Sequence, residues 1–198
     1  AIVSSFHSGA KNLGHEHYLD DELHGERVHR HAFEAGRVIE NYSHGKKHGI
    51  VSSFHDNDMK KLKSSSVYDN DVLNGVSETK DHEGNTITHG NYVNGQKQGI
   101  HISQTGICDL VHENYKDDKR EGVATRYFGN TDQVRGTEHF KNDELDGESK
   151  FWNKNGTLVS HYNYKGDAKI GHQRSWHDNG QLKEEQTIVD RQGVRIGK

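Results

Sequence analysis

The sequence predicts an all-β fold, an elongated, single-layer antiparallel meander of about eight solenoid-like β-hairpin repeats. The first observation is a repeated segment, because AIVSSFH at residues 1–7 recurs as GIVSSFH at residues 49–55. A marker glycine holds the same phase in each repeat, at spacings of 23 to 26 residues: Gly25, Gly49, Gly75, Gly99, Gly122, Gly147, Gly171 and Gly197. Such a period is typical of arrays in which each repeat contacts only its neighbours.

The second observation is an aromatic ring seven residues before each marker glycine except the last, where Asp190 stands. These rings are Tyr18, Tyr42, Tyr68, Tyr92, Tyr115, Phe140 and Tyr164. Residue pairs that tolerate positive φ lie between ring and glycine: Asp20-Asp21, His44-Gly45, Asn70-Asp71, Asn94-Gly95, Asp117-Asp118, Asn142-Asp143 and Gly166-Asp167. Each pair predicts a tight hairpin turn between repeats.

The third observation is a second turn in the middle of each repeat, which gives two strands per repeat. The predicted sites are Ser8-Gly9, Ala35-Gly36, Glu83-Gly84, Thr105-Gly106, Asn155-Gly156 and Asn179-Gly180, with weaker signals at Asn57-Asp58 and Gly129-Asn130. An apolar residue then precedes the ring by four to six positions: Leu13, Val38, Leu62, Ile87, Leu110, Val134 and Leu158.

The position of a two-residue turn predicts which residues pair across its hairpin, because paired residues have the same sum of residue numbers as the two turn residues. A two-residue turn at Asn155-Gly156 places Tyr164 opposite Gly147, and one at Glu83-Gly84 places Tyr92 opposite Gly75. The other repeats need a bulge or a longer turn. A ring opposite a glycine can shield the bare backbone. We therefore expect the seven rings and the glycines from Gly25 to Gly171 to form the structural core of the repeats rather than a ligand-stacking track.

Composition and charge restrict the possible functions. Hydrophobic residues make up 29% and charged residues 28%, which is thin for a closed globular core. The formal net charge of −4 gives no reason to expect a nucleic-acid partner, and no apolar stretch is long enough for a transmembrane segment. Cys108 is alone, so we expect no internal disulfide and a bystander thiol.

The pattern resembles the MORN repeat, particularly the bacterial variant, with the shape G-x-W-x-x-Y-x-x-N-G-x-L. The fullest match runs from Gly147 to Gly180, whereas Lys80 and Gln104 replace the first-strand aromatic in the middle repeats. The resemblance implies a single-layer sheet used as a scaffold or binding surface, without a single activity. Bacterial proteins that resemble this pattern are often called antitoxins or immunity proteins, and others are exported proteins of unknown role. Eukaryotic relatives are associated with membrane lipids and cytoskeletal assembly.

A second set of aromatic residues lies in the first strand of several repeats. Its position alternates out of phase with the marker glycine, which favours the other face of the sheet. Exposed Trp and Tyr commonly anchor binding patches, so this set is the candidate partner-binding site, with simple packing as the alternative. The set is Phe6, Phe54, Tyr127, Trp152 and Trp176.

The chain contains 17 histidines, including the pairs His15/His17 and His29/His31 on strands expected to be neighbours. A metal site is conceivable there, but no Cys cluster or HExxH spacing supports it, so we expect solvated histidines and no metal. Their protonation makes partner affinity pH-dependent between about pH 5.5 and 7.5. Lys60-Lys61-Leu62-Lys63 is interpreted as a solvated basic segment, with anionic-lipid contact as the alternative.

No nucleotide-binding loop, nucleophile elbow or other catalytic motif is present in the sequence, so we expect no enzyme and no cofactor. An unrecognised hydrolase is a minor alternative. The leading hypothesis is a non-catalytic protein-binding scaffold, namely a bacterial antitoxin or immunity protein that binds and neutralises a toxin or effector. The alternative is a cell-surface or membrane-peripheral structural protein that assembles through its open sheet ends, for example as a homodimer.

The expected organisation is one repeat array over residues 1–198. The repeats are approximately 1–24, 25–48, 49–74, 75–98, 99–121, 122–146, 147–170 and 171–198. A cytoplasmic location is expected, or a periplasmic or surface location if an upstream signal has been removed.

Overall fold

The computed structural model describes residues 2–8, 11–30, 36–57, 59–105, 109–129 and 131–189. This part of the chain consists of β-strands, turns and bends, and every strand pairing in it is antiparallel between strands that follow closely in sequence. The predicted all-β hairpin fold is therefore confirmed. The chain divides into two units, Ala1–Lys97 and Gln98–Lys198, next to the end of the predicted repeat 75–98.

In the first unit each long strand pairs with the next long strand along the chain, and two strands of two residues each pair with the long strand before them. The strands are β1 (Ile2–Ser8), β2 (Lys11–Leu19), β3 (Glu22–Leu23), β4 (Gly25–Arg30), β5 (Arg37–Ser43), β6 (Lys46–Lys47), β7 (Gly49–Phe54), β8 (Leu62–Asp69), β9 (Val72–Lys80) and β10 (Thr86–Val93).

The second unit repeats this arrangement. Its strands are β11 (Gln96–Thr105), β12 (Asp109–Lys116), β13 (Lys119–Arg120), β14 (Gly122–Tyr127), β15 (Val134–Lys141), β16 (Glu144–Trp152), β17 (Leu158–Lys165), β18 (Ala168–Lys169), β19 (Gly171–Trp176) and β20 (Leu182–Ile188).

The turns between repeats have the predicted form. Both central residues have positive φ at all seven predicted pairs, for example 52° and 65° at Asp20-Asp21 and 51° and 74° at Asn142-Asp143. Positive φ at both positions defines the type I′ turn, whose twist matches that of the flanking strands. Asp, Asn, His and Gly tolerate this conformation, and the sequence places only these residues there.

The register of ring and glycine agrees with the prediction and extends it. Gly147 pairs with Tyr164 and Gly75 with Tyr92, as the arithmetic predicts. The same pairing holds in four more repeats: Gly25 with Tyr42, Gly49 with Tyr68, Gly99 with Tyr115 and Gly122 with Phe140. In the last repeat Ile188 faces Gly171.

The predicted two-residue turns at Asn155-Gly156 and Glu83-Gly84 are wrong in length. Asn153 N donates to Thr157 O at 3.0 Å, and Asn153 Oδ1 accepts the N–H groups of Asn155 and Thr157, which makes a longer loop. Asp81 organises the other loop in the same way. A one-residue register shift beside each loop compensates, which is why the ring still faces the glycine.

A bulge at each marker glycine explains why glycine recurs. Between β5 and β7, Tyr42 pairs with Lys47 and Ile39 with Ser52, so the ladder gains two residues around Gly49. The marker glycines from Gly25 to Gly171 have φ from 64° to 131°. A Cβ added at Gly49 would meet only Asn41 Cβ, at 3.7 Å, on the adjacent strand. Backbone conformation therefore requires this glycine, rather than a ring lying over it.

In five repeats the residue just before the ring closes the bulge. Its side chain bonds the backbone carbonyl of the residue after the marker glycine, a group that the bulge withdraws from the ladder. The bonds are Asn41 Nδ2 to Ile50 O at 2.7 Å, Asn114 Nδ2 to Val123 O at 2.8 Å and Asn163 Nδ2 to His172 O at 2.8 Å. His17 and His139 Nδ1 do the same at 2.6 and 2.9 Å from Glu26 O and Glu148 O.

The type I′ turns also bind successive repeats together. Asp143 N donates to Arg120 O at 3.1 Å, and Asp143 Oδ1 accepts Arg120 N at 2.9 Å. The hydrogen bond from the Arg120 backbone lowers the pKa of Asp143. Asp71 with Lys47, and Asp167 with Leu145, form the same reciprocal pair. In these three turns the aspartate at the second position thus joins the turn to the preceding repeat.

We predict that Gly122→Ala lowers the free energy of unfolding by about 1–2 kcal/mol, because an L-side chain is strained at φ 91°. The site itself is open, since the nearest atom to an added Cβ is Asn114 Cβ at 3.9 Å. Gly122→Asn should cost less, because Asn tolerates positive φ. Urea denaturation of the three proteins checks this, and equal stability of the Ala variant and the parent would contradict it.

We predict that Asn114→Asp destabilises the protein by about 1–2 kcal/mol, because a carboxylate cannot donate to Val123 O and leaves that carbonyl unpaired. Asn114→His is the matched control, since His17 and His139 make this bond in their own repeats. Thermal unfolding should rank the His variant close to the parent. The hypothesis fails if both variants lose the same stability.

Candidate binding faces

Each unit exposes two faces of its sheet. We call face A the face that carries the recurring rings, and face B the opposite face. Residues two apart on a strand share a face, and three tyrosines show this directly. The hydroxyls of Tyr18, Tyr42 and Tyr115 donate to Glu16, Glu40 and Glu113 at 2.7, 3.1 and 2.9 Å.

The most buried residues of face A form its central row, and most of them are polar. In the first unit Glu16 and Glu40 are 8% and 7% exposed. In the second unit the buried members are His101, Ala124, Ser149 and Gln173. Register joins these positions across neighbouring strands, as in the pairs Ala124 with Glu138 and Glu138 with Ser149. The centre of the sheet is therefore held by paired polar groups as well as by apolar contacts.

A network of charges neutralises the buried carboxylates of the first unit. Arg27 Nε lies 2.7 Å from Glu16 Oε1, and Arg27 Nη1 lies 3.4 Å from Glu40 Oε2. Lys47 Nζ and His29 Nε2 approach Glu40 at 2.9 and 3.2 Å. Burial acts to raise the pKa of Glu40, but the hydrogen bond and charge of Lys47, the Tyr42 hydroxyl and His29 together lower it below its ordinary value.

Long side chains cover the rings of face A. Lys47 pairs across from Tyr42 and its ammonium lies 5.6 Å from the centre of the next ring, Tyr68. Arg120 pairs across from Tyr115 and its guanidinium lies 3.9 Å from the centre of Phe140. Burial and the nearby Glu113 raise the pKa of Tyr115 to about 12. Phe140 is buried and the other recurring rings are half-buried, so these contacts are those of packing residues.

Face B carries exposed apolar side chains that the sequence analysis missed. Ile50 and Val76 in the first unit are 54% and 44% exposed, and Ile100 and Val123 in the second are 57% and 37% exposed. Each follows a marker glycine directly, a signal that the central repeats share. Val67, which pairs with Ile50, lies between Ile50 and Val76. We call Ile50, Val67 and Val76 the apolar patch of the first unit.

The predicted partner-binding aromatics are half-buried and have cross-strand apolar partners. Phe54, Tyr127, Trp152 and Trp176 pair with Leu62, Val134, Leu158 and Leu182. The Tyr127 ring lies 4.9 Å from that of His112, on face B. The pKa of His112 is lowered by burial. Part of each aromatic surface is used in packing, so the exposed part of face B is supplied mainly by the aliphatic residues.

The histidine pairs do not converge. His15 lies on face B, 3.1 Å from Glu26, whereas His29 lies on face A beside Glu40. Within the described ranges, no group of three or more His, Cys, Asp or Glu side chains is arranged to hold a metal ion. His31, Cys108, Asp190, Gly197 and the side chain of Phe6 lie outside the part of the chain whose placement is described.

The basic segment lies beside the loop of the next hairpin. Lys60, Lys61 and Leu62 line a cavity of about 230 Å³ together with Lys80 and the loop from Asp81 to Gly84. The acidic residues in this loop balance part of the lysine charge. The Asp81 carboxylate accepts hydrogen bonds from Asn85 and Glu83, which lower its pKa against the opposing effect of desolvation.

Comparison with known families agrees with this geometry. Residues 145–165 and 169–190 match the family model described as MORN repeat variant. These two adjacent repeats overlap the segment Gly147 to Gly180, and the match shows a MORN-type variant repeat in this part of the chain. No curated protein matches the chain. The described residues contain no helix that is long and apolar enough to cross a membrane.

We predict that stability falls as the pH drops from about 5 to 3, because Glu40 has a lower pKa in the folded than in the unfolded protein. Its contribution is complete above the unfolded pKa and is lost as the pH falls through the folded pKa. Urea denaturation at several pH values should show a shallower dependence in Glu40→Gln. Glu22→Gln, at an exposed position, is the control and should retain the parental slope.

Proposed function

We propose that this protein is a non-catalytic protein-binding scaffold that uses face B, and that within this class it is a bacterial antitoxin or immunity protein. The observation that carries the proposal is the apolar patch of exposed Ile50 and Val76 with half-buried Val67 between them, on a sheet face whose flanking positions are polar. MORN-type repeats generally mediate protein or membrane binding, which is compatible with a scaffold.

The apolar patch is well suited to a protein interface. Its three side chains stand on the neighbouring strands β7, β8 and β9, so one partner surface can cover them together. Removing apolar surface from water stabilises a complex by about 25 cal/mol per Å². Apolar residues in the centre of an interface, with polar residues around them, provide most of the binding energy in typical complexes.

The antitoxin role rests on the resemblance to bacterial MORN-variant proteins and on charge. The formal charge of −4 favours association with a basic partner, because opposite charges steer the encounter. A toxin encoded in the neighbouring reading frame is the partner with which we expect the chain to form a stoichiometric complex.

Co-expression of the chain with the product of the neighbouring reading frame tests this proposal. The expected result is a complex of fixed stoichiometry by light scattering, together with loss of the partner's toxicity. The proposal is wrong if the chain forms no such complex and instead retains vesicles of anionic lipid or an immobilised glycan.

We predict that Ile50→Ser combined with Val76→Ser weakens partner binding at least tenfold, as measured by titration calorimetry. The matched control is Val72→Ser combined with Val93→Ser, because these residues are 43% and 45% exposed but lie beside the type I′ turns. The control should bind within twofold of the parent. Equal loss in both double variants would place the interface elsewhere.

A further inference from the structure

A small cavity lies on face A of the second unit, at its last described hairpin. It has a volume of about 40 Å³ and is lined by Tyr162, Lys169, Gln173, Ser175, Glu184 and Gln186, with Arg174 beside them. Register explains the grouping, since Tyr162 and Gln186 stand on the strands either side of Gln173, and Glu184 pairs with Ser175. A cavity of this size holds one small polar group.

Gln173 brings an unpaired acceptor to this cavity. The residue is 2% exposed, and its Nε2 donates to Ile170 O at 2.5 Å and to Asn163 O at 3.1 Å. These two carbonyls fix the amide orientation, because the reverse orientation would set oxygen against oxygen. Oε1 is buried without a hydrogen-bond partner. An unpaired buried acceptor costs about 1–3 kcal/mol, so a donor placed there is favoured.

The acceptor is specific to this repeat. The residues at the same distance after the marker glycine in the two preceding repeats are Ala124 and Ser149, both of them small and 2% exposed. Neither has an amide that could extend from the central row. Gln173 therefore adds a hydrogen-bonding site where the neighbouring repeats only pack.

The charges around the cavity balance. Arg174 Nε lies 2.7 Å from Glu185 Oε1, a pair that neutralises both residues on face B. The remaining charges are the Glu184 carboxylate and the Lys169 ammonium, which lies 3.8 Å from the centre of the Tyr162 ring. A site with no net charge gives an ion no Coulombic compensation for its lost hydration. A neutral group that both donates and accepts hydrogen bonds is favoured.

We propose that this cavity binds the carboxamide of an asparagine or glutamine side chain from a protein partner. The carboxamide N–H groups donate to Gln173 Oε1 and toward Glu184, and its oxygen accepts from Ser175 or Lys169. The protein source of the ligand rests on the proposed function. The site lies on face A, so it adds a specificity contact apart from the apolar patch.

Three probes of equal shape distinguish the chemistry. Acetamide donates and accepts, acetate only accepts, and acetamidinium only donates and carries a positive charge. In an NMR titration of the full chain, we expect acetamide to give a saturable shift of the Gln173 side-chain amide at least three times that given by either ion. A stronger response to acetate or acetamidinium, or no saturable shift with any probe, overturns the proposal.

Two single variants locate the response. Glu184→Ala should weaken acetamide binding at least threefold, whereas Glu144→Ala removes the same charge at an exposed position outside the cavity and should leave it unchanged. Equal effects of the two variants overturn the assignment to this cavity. The small probe needs no partner, so loss of the acetamide signal rejects the cavity site, and loss of the partner complex rejects the scaffold.

Discussion

The bulge at each marker glycine is the constraint on which the rest of the sheet depends. The glycine adopts positive φ, and two residues at the bulge have no partner in the ladder. The carbonyl of the residue after the glycine then accepts a hydrogen bond from the Asn or His side chain that stands just before the ring on the neighbouring strand. With this offset the ring lies opposite the marker glycine of its own hairpin, and the offset determines which residues reach face A and which reach face B. The exposed apolar residues of face B follow the glycine directly, so their position is fixed by the same bulge.

A single-layer sheet has no second layer against which to bury an apolar face. In this protein, charged side chains of face A cover the buried carboxylates and aromatic rings of the same face. Glu40 and Glu16 are buried under Arg27 and Lys47, and the ammonium of Lys47 and the guanidinium of Arg120 lie over aromatic rings. This explains how a chain with 29% hydrophobic residues forms an ordered sheet. It also leaves face B free of this requirement, so face B can carry exposed apolar residues for binding.

The turn chemistry and the ring period are local signals, which is why the type I′ turns and the pairing of Gly75 with Tyr92 could be predicted from sequence. The mid-repeat loop could not, because its length depends on whether the Asp81 or Asn153 side chain folds back onto the backbone. The roles of Asn114 and Gln173 depend on contacts with other strands and were missed. For Asn114 a signal was available, since Asn or His precedes the ring in most repeats.

The reciprocal hydrogen bonds of Asp71, Asp143 and Asp167 with the preceding repeat restrict where the chain tolerates insertions. The seven between-repeat turns have the same two-residue length, and a longer turn would break the reciprocal bonds at Asp71, Asp143 and Asp167. The mid-repeat connections vary in length, from Thr105–Asp109 to Phe54–Leu62. Insertions in the mid-repeat loops can therefore accumulate without disturbing the strand pairing. Related chains can in this way change their binding partners while they keep the same sheet.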